Sequence, residues 1–444
     1  MLKACMTRCD ITPPKGLELV GFPHYERNNT GVHDPLYAAC MYLSDNGNEV
    51  AMITLDILYI SKKHVEKIRK RAEELCGISG QNVMVSCSHT HSGPCAAGRT
   101  DPDKLLEGSK QPMEYIGEII EKIAQLINEA KKNAFDAFFM SGTAVCGAES
   151  GVGGNRRVRG GPHDPLVSVL AIKDKEDNLR GAIVNYTLHP TFIHEWSTVC
   201  TADYPCYLKL EMEEKHKMLL TGFSQGTSGN QSSRYFRTGE SYDEAERVGR
   251  TLGKAALKAI EKGEWKDTLE IKTISDSLPI ELRSFGTEEE LRNRVAHDKA
   301  VYEELYAKYG KSENREEYYL WQNANLRMLG SEKQLSYTIM LNTGIRIELY
   351  EDENPSEIQA FNLGGTCVIG LQGEIFVEYG LWIKAMAGFG TVIINELTNG
   401  VHPGYTYTPE SLMTGGYETG NSLLNEKFGM HLTEKAIETA RKIR

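Results

Sequence analysis

The chain has 444 residues, 40% hydrophobic and 25% charged, with 50 basic against 61 acidic side chains and a formal net charge of −11. That acidic balance argues against a nucleic-acid partner, which needs a basic face. No apolar run approaches the length of a bilayer span.

The N-terminus, MLKACMTRCDITPPKG, carries basic residues but no apolar signal core. Export is not expected, and the expected compartment is the cytoplasm. Ten cysteines, Cys95 among them, form no CxxC pair and read as free thiols.

Strand-like runs cover 37–45, 50–60, 82–88, 165–174 and 181–190, and helical periodicity covers 62–76 and 112–133. Two more amphipathic helices are predicted over 206–218 and 241–262. The charged stretch 287–330 reads as a helical hairpin broken at Gly310 and lying on the surface in solvent. Strands are then predicted over 335–351, 356–371 and 390–397, before a final helix, TEKAIETARKIR. The alternation predicts an α/β fold of mixed β-sheets flanked by α-helices. No linker or repeat interrupts it, so residues 1–444 are expected to form a single domain.

Chemistry-bearing residues gather at predicted strand ends, where α/β sheets place ligands. VMVSCSHTHSGP (83–94) ends an apolar run on His89 and His91. In an extended segment these two share one side, with Thr90 opposite. Such a pair can share a metal, or one member can bind metal while the other meets substrate; it also occurs with no role. Zinc needs three protein ligands and an open position. NYTLHP offers His189 and VIGLQGEIF offers Glu374, while NELTNGVHPGYTYTPE offers His402, Tyr405 and Tyr407. GVGGNRRVRGGPHDP (151–165) carries Arg156, Arg157 and Arg159 but no GK[ST] ending, which disfavours a nucleotide. FSQGTSGNQSSRYF (223–236) matches neither a GxSxG elbow nor a zinc-protease helix.

SHTHSGP resembles the zinc motif of the neutral (alkaline, non-lysosomal) ceramidases, and the resemblance runs over almost the whole chain. DITPPKG…GVHDPLYAACMYL resembles the family's opening strand pair, and GGNRR its asparagine–arginine segment. FSQGTSGNQSS is similar to its FAQ…GDVSP loop, LQGEIF to its PGE segment, and YTYTPESLMTGGYE to its paired-tyrosine segment. The resemblance implies the family's catalytic domain without its C-terminal β-domain. It implies a zinc ion held by His89, His189, Glu374 and Tyr405, substrate contacts from His91, Arg156 and Tyr417, and Ser232 at the position of the family's active-site serine.

Asn230 stands for the family's aspartate in that loop, and Ser233 for its proline. No apolar, aromatic-rich segment suits membrane docking. Arg157 and Arg159 beside Arg156 suit a polar or anionic substrate better than an acyl chain.

The expected activity is therefore zinc-dependent hydrolysis of a linear N-acyl amide in a small, soluble, polar substrate. Ceramide hydrolysis itself, hydrolysis of esters or lactams, and a non-catalytic metal- or ligand-binding role are the alternatives. Asp203, in TADYP, is either a carboxylate orienting His189 or the N-cap of the helix beginning near Tyr204.

Overall fold

The computed structural model describes residues 1–22, 25–94, 113–312, 314–344 and 348–444. Cys95, Pro112 and the part of the predicted 335–351 strand at 345–347 lie outside the described residues. The other nine cysteines are free thiols.

Three β-sheets face one another around a shared apolar core. The first runs, in spatial order, Val83–Cys87, Asn48–Leu55, Tyr37–Asp45, Lys3–Asp10 and Phe135–Asp136. The second runs Leu220–Gln225, Leu179–Tyr186, Leu166–Lys173 and Phe138–Val145. The third runs Ile271–Leu278, Ser356–Leu363, Thr366–Leu371 and Thr391–Asn395.

Strand alternation sorts the side chains between an inner and an outer core. Met52, Ile183 and Val368 point into the cluster that all three sheets share. Their neighbours in the chain pack outward against helices. Ile53 meets Lys62–Cys76 and Met113–Lys132; Val184 meets Tyr204–Glu213 and Tyr242–Glu261; Ile369 meets Val377–Met386 and Phe428–Lys442. The mixed α/β class expected from the sequence is the one observed.

Each sheet carries one parallel pair at an edge: Asn48–Leu55 with Val83–Cys87, Leu179–Tyr186 with Leu220–Gln225, and Thr366–Leu371 with Thr391–Asn395. A parallel pair delivers two carboxyl ends side by side. Here the three pairs of ends are joined by buried side chains. Ser86 Oγ lies 2.8 Å from Thr398 Oγ1, linking the first sheet to the third. Asn395 Oδ1 accepts from Asn185 Nδ2 at 3.1 Å and from Ser224 Oγ at 2.9 Å, linking the third to the second. The Glu396 amide donates to the Gln225 carbonyl at 3.0 Å.

Two sequence expectations are corrected. Residues 335–342 are the end of a long helix, Arg315–Asn342, and Glu348–Glu353 is a further short helix. The β-branched run SYTIML has strand propensity, but that propensity is a weak prior. The helix buries Ala324, Ser331, Gln334, Tyr337 and Thr338 on one face, and Gly330 packs against the Gly420 backbone. The run predicted as one strand over 356–371 is a hairpin, because Gly364 and Gly365 both take positive φ, 61° and 97°, as a two-residue turn requires.

The charged hairpin does form, as Glu288–Tyr309 and Arg315–Asn342, and a capping box of Thr287 and Glu290 starts it. It is not only a solvated surface: its second helix lines a cleft with Tyr318, Tyr319 and Leu326.

Asn395→Ala removes the acceptor that ties the second sheet to the third and strands a buried hydroxyl. The expected loss is about 2–4 kcal/mol in denaturant unfolding. A loss below about 0.5 kcal/mol would show that these strand ends are held together by something else.

Candidate active site

The three joined strand ends deliver the candidate residues to one place. Beyond Cys87 the Ser88 and His89 amides still reach across to the carbonyls of Leu55 and Ile57, at 2.8 and 3.1 Å. The chain then turns at His89, whose φ of 67° is in the left-handed region. A non-glycine residue held there is uncommon and marks a place that the surroundings over-determine. His89 and His91 do come together, but through this turn and not through strand alternation. Their rings lie 4.8 Å apart, edge to face, with Nε2 to Nε2 at 3.3 Å.

His189 follows the second sheet's strand Leu179–Tyr186 and is fully buried. Glu374 follows the third sheet's Thr366–Leu371, after a turn at Gly373. The Glu374 carboxylate Oε2 lies 3.1 Å from His189 Nε2 and 3.4 Å from His89 Nε2. A short parallel pairing of Glu374–Ile375 with Tyr405–Thr406 sets Tyr405 beside Glu374.

The far nitrogens fix the tautomers. His89 Nδ1 lies 3.1 Å from the Leu58 carbonyl, and His189 Nδ1 lies 2.8 Å from the Ser228 carbonyl and 3.1 Å from that of Gln231. Carbonyls only accept, so each Nδ1 carries the proton and each Nε2 turns a lone pair inward. Histidines that ligate metals are oriented in this way.

Ligands of a tetrahedral ion with bonds of about 2.0–2.1 Å lie roughly 3.3–3.4 Å from one another. The observed spacings of 3.1 and 3.4 Å fit such an ion. The Nε2 or Nδ1 atoms of His89, His91 and His189 lie within 4.8 Å of one another, all three residues being buried.

Burial dominates the protonation of this cluster. It pushes His91 well below the usual imidazole value, helped by His89 and His189, and holds His189 down at about 4. Burial would raise the Glu374 carboxyl, but His89 and His189 reverse that and hold it well below its usual range. Burial also raises the Tyr405 hydroxyl well above an ordinary phenol, with Glu374 and Tyr417 adding to the effect.

Around the cluster, the Tyr405 and Tyr417 rings meet at 5.8 Å, and the Arg156 guanidinium sits 5.5 Å from the Tyr405 ring centre. Arg156 Nε donates to Glu418 at 2.8 Å, which fixes the guanidinium. Ser232 is buried in the wall of the same cleft as Arg156 and His91. His91 packs closely against Gly21, whose φ is 111°; a Cβ there would stand 2.6 Å from the ring.

Other expectations take different places. Arg157 lies in the cleft wall beside Arg156 and is engaged there: it bonds Glu418 at 2.5 Å and the carbonyls of Ser411 and Gly415, bracing the loop before Tyr417. Arg159 is exposed, 5.9 Å from the Tyr235 ring, and is outside the cleft wall. Tyr407 is buried, its hydroxyl donating to the Leu424 carbonyl. His402 bonds Ser356 and Thr406.

Asn230 has a structural task. Its Nδ2 donates to Glu378 at 2.8 Å, and its Oδ1 accepts from the Val377 amide at 3.0 Å, at the start of the helix Val377–Met386. Asp203 is the N-cap of Tyr204–Glu213, accepting from the Tyr204 amide, and also accepts from the Phe192 and Ile193 amides at 2.9 Å each. The group beside His189 is Ser228, whose hydroxyl lies 3.2 Å from His189 Nδ1 and donates to Glu396 at 2.6 Å. Glu418, Ser228 and Glu396 escaped the sequence reading; only the position of Glu418 next to Tyr417 hinted at any of them.

Asp203→Ala therefore strips three backbone donors of their acceptor without touching the histidines. The melting temperature should fall, by the equivalent of about 2–4 kcal/mol, while metal content is unchanged. Loss of metal with stability intact would return Asp203 to the side of His189.

Comparison with known proteins bears on the fold and on the N-terminal part of the chain. Residues 3–143 match the family model of the neutral/alkaline non-lysosomal ceramidases, N-terminal. Neutral ceramidases of Drosophila pseudoobscura pseudoobscura and Drosophila melanogaster are each 25% identical, over 48% of this chain and 32% of theirs. The matched stretch thus spans about a third of those relatives' length. The crystal structure of neutral ceramidase from Pseudomonas aeruginosa superposes with a TM-score of 0.74 at 18% identity, over 100% of this chain and 74% of that one. A ceramidase complexed with C2 gives 0.75 at 17%, over 100% and 75%. Residues 3–143 thus match that family's model, and the chain as a whole has the fold of the solved ceramidases.

Proposed function

We propose that the chain is a zinc-dependent amidohydrolase that cleaves a linear N-acyl amide in a soluble, polar substrate. The observation that carries this reading is the convergence of the inward lone pairs of His89 and His189 on the Glu374 carboxylate, within 3.4 Å. His89, His189, Glu374 and Tyr405 would hold the ion. Zinc in such a site supplies Lewis acidity, polarising a carbonyl and making water acidic near neutral pH.

The chain's own groups do the rest. Arg156, held by Glu418, and the Tyr417 hydroxyl steady the carbonyl oxygen as it gains charge. His91, at the cluster edge facing the cleft, takes a proton from the attacking water and passes it to the leaving nitrogen. Ser232, in the cleft wall, binds the polar part of the substrate. We place the protein in the cytoplasm, where free thiols such as its described cysteines are maintained.

A second reading, hydrolysis of ceramide, is favoured by the similarity to proteins named neutral ceramidase. Turnover of soluble N-acyl amides against ceramide in mixed micelles separates the two.

His91→Ala should keep its zinc and lose about 10²–10³-fold in kcat on an amide. Wild-type turnover in that variant would remove His91 from the chemistry. Zinc-loaded wild type inert toward every amide offered, ceramide included, would remove the hydrolase reading.

A further inference from the structure

We propose that Arg27 is the positioning residue for His91; this rests on the amide-hydrolase reading above, in which His91 moves the proton. Such a group must keep one ring nitrogen aimed at the reacting atoms, because proton transfer needs hydrogen-bond reach. His89 and His189 are aimed by their outer nitrogens, which donate to carbonyls. His91 lacks that tether. Its Nδ1 is buried and meets no partner among the described residues, while its Nε2 lies against His89.

What holds the His91 ring is packing, and one side chain organises the packing. Gly21 leaves room for the imidazole, and the Phe22 ring meets it edge to face with centres 5.0 Å apart. Arg27 Nη2 donates to the carbonyl of His91 at 2.5 Å and to that of Val20, next to Gly21, at 3.0 Å. Its Nη1 donates to the Ser197 carbonyl at 3.3 Å, and its Cζ lies 4.8 Å from the Phe22 ring centre. One planar group thus clamps the backbone of His91, the segment beneath the ring and the aromatic at its edge.

The surroundings of Arg27 argue that this clamp serves more than the fold. The side chain is 1% exposed, and every acceptor it meets among the described residues is a backbone carbonyl. Its Nε meets none. Burial lowers its pKa to about 10, against the attraction of Glu195 and Glu18, so the group is charged at neutral pH. A buried charge with no carboxylate in contact is costly, and such costs gather at functional sites. The segments it joins all reach the cleft wall, through Gly21, Phe22, His91 and, ahead of Ser197, Glu195. Lysine cannot replace it, because an ammonium offers neither the flat face toward Phe22 nor a rigid fork for three carbonyls.

The test compares zinc-loaded Arg27→Lys, Phe22→Leu and His91→Ala, with each of the first two also combined with the third. Arg27→Lys should lose about 10–10²-fold in kcat, the scale of a misplaced group, with KM within about threefold of wild type. Combined with His91→Ala it should be no more than about threefold slower than His91→Ala alone, since the step it serves is already gone. Phe22→Leu leaves the buried charge in place and should show the same non-additivity, which keeps the test decisive where Arg27→Lys fails to fold. In histidine-labelled protein, the His91 ring resonance, identified by its loss in His91→Ala, should be sharp in wild type. It should broaden or shift in Arg27→Lys and in Phe22→Leu, with the His189 resonance little changed.

A lowered melting temperature with unchanged kcat, losses that multiply in the combined variants, or an unaltered His91 resonance overturns the proposal and leaves the hydrolase reading standing. Wild type inert toward every amide overturns the hydrolase reading instead. The resonance then still reports whether Arg27 holds the ring, and an unaltered one overturns the proposal as well.

Discussion

Three sheets must end at one point, and the buried polar contacts that join those ends are the constraint on which the rest depends. Ser86 with Thr398, and Asn395 with Asn185 and Ser224, sit directly under the candidate site. Buried polar groups are costly unless satisfied, and these satisfy one another only when all three sheets are in register. The shared apolar core supplies attraction without direction, whereas the polar joints supply direction. One residue of slip in Val83–Cys87, Leu179–Tyr186 or Thr366–Leu371 would turn its ligand-bearing end away.

The same economy governs the site above. Glu374 is a carboxylate among buried imidazoles, and the outer nitrogens of His89 and His189 are already assigned to carbonyls. A buried carboxylate needs a compensating positive charge. In the proposed enzyme one divalent cation satisfies the carboxylate and the inward nitrogens together, beside the left-handed turn at His89. The support continues outward: Ser228 and Glu396 behind His189, Gly21 beneath His91, and Glu418 behind Arg156.

What the sequence disclosed was local. Apolar β-branched runs that stop on His89, His189 and Glu374 read as strand ends, and they are positioned by strand ends. The resemblance to the ceramidases supplied the order of the motifs, and the structure brings every residue it nominated to one neighbourhood. What stayed hidden was set by distant packing. SYTIML joined a helix because its neighbours bury one helical face. The engagement of Arg157 was hidden because its partner, Glu418, lies 261 residues away. Asp203 had two readings of equal merit until the Phe192 and Ile193 amides were seen to meet it. The charged hairpin gave no sign in its composition that its tyrosines would wall a cleft.

The central claim is that His89, His189, Glu374 and Tyr405 form a zinc site. The most direct measurement is elemental analysis of the purified wild type beside His89→Ala and Glu374→Ala, with folding of each checked by circular dichroism. The account predicts close to one zinc per chain in the wild type and none in either folded variant. Wild-type protein that neither carries zinc nor takes it up, or variants that retain it in full, would contradict the account.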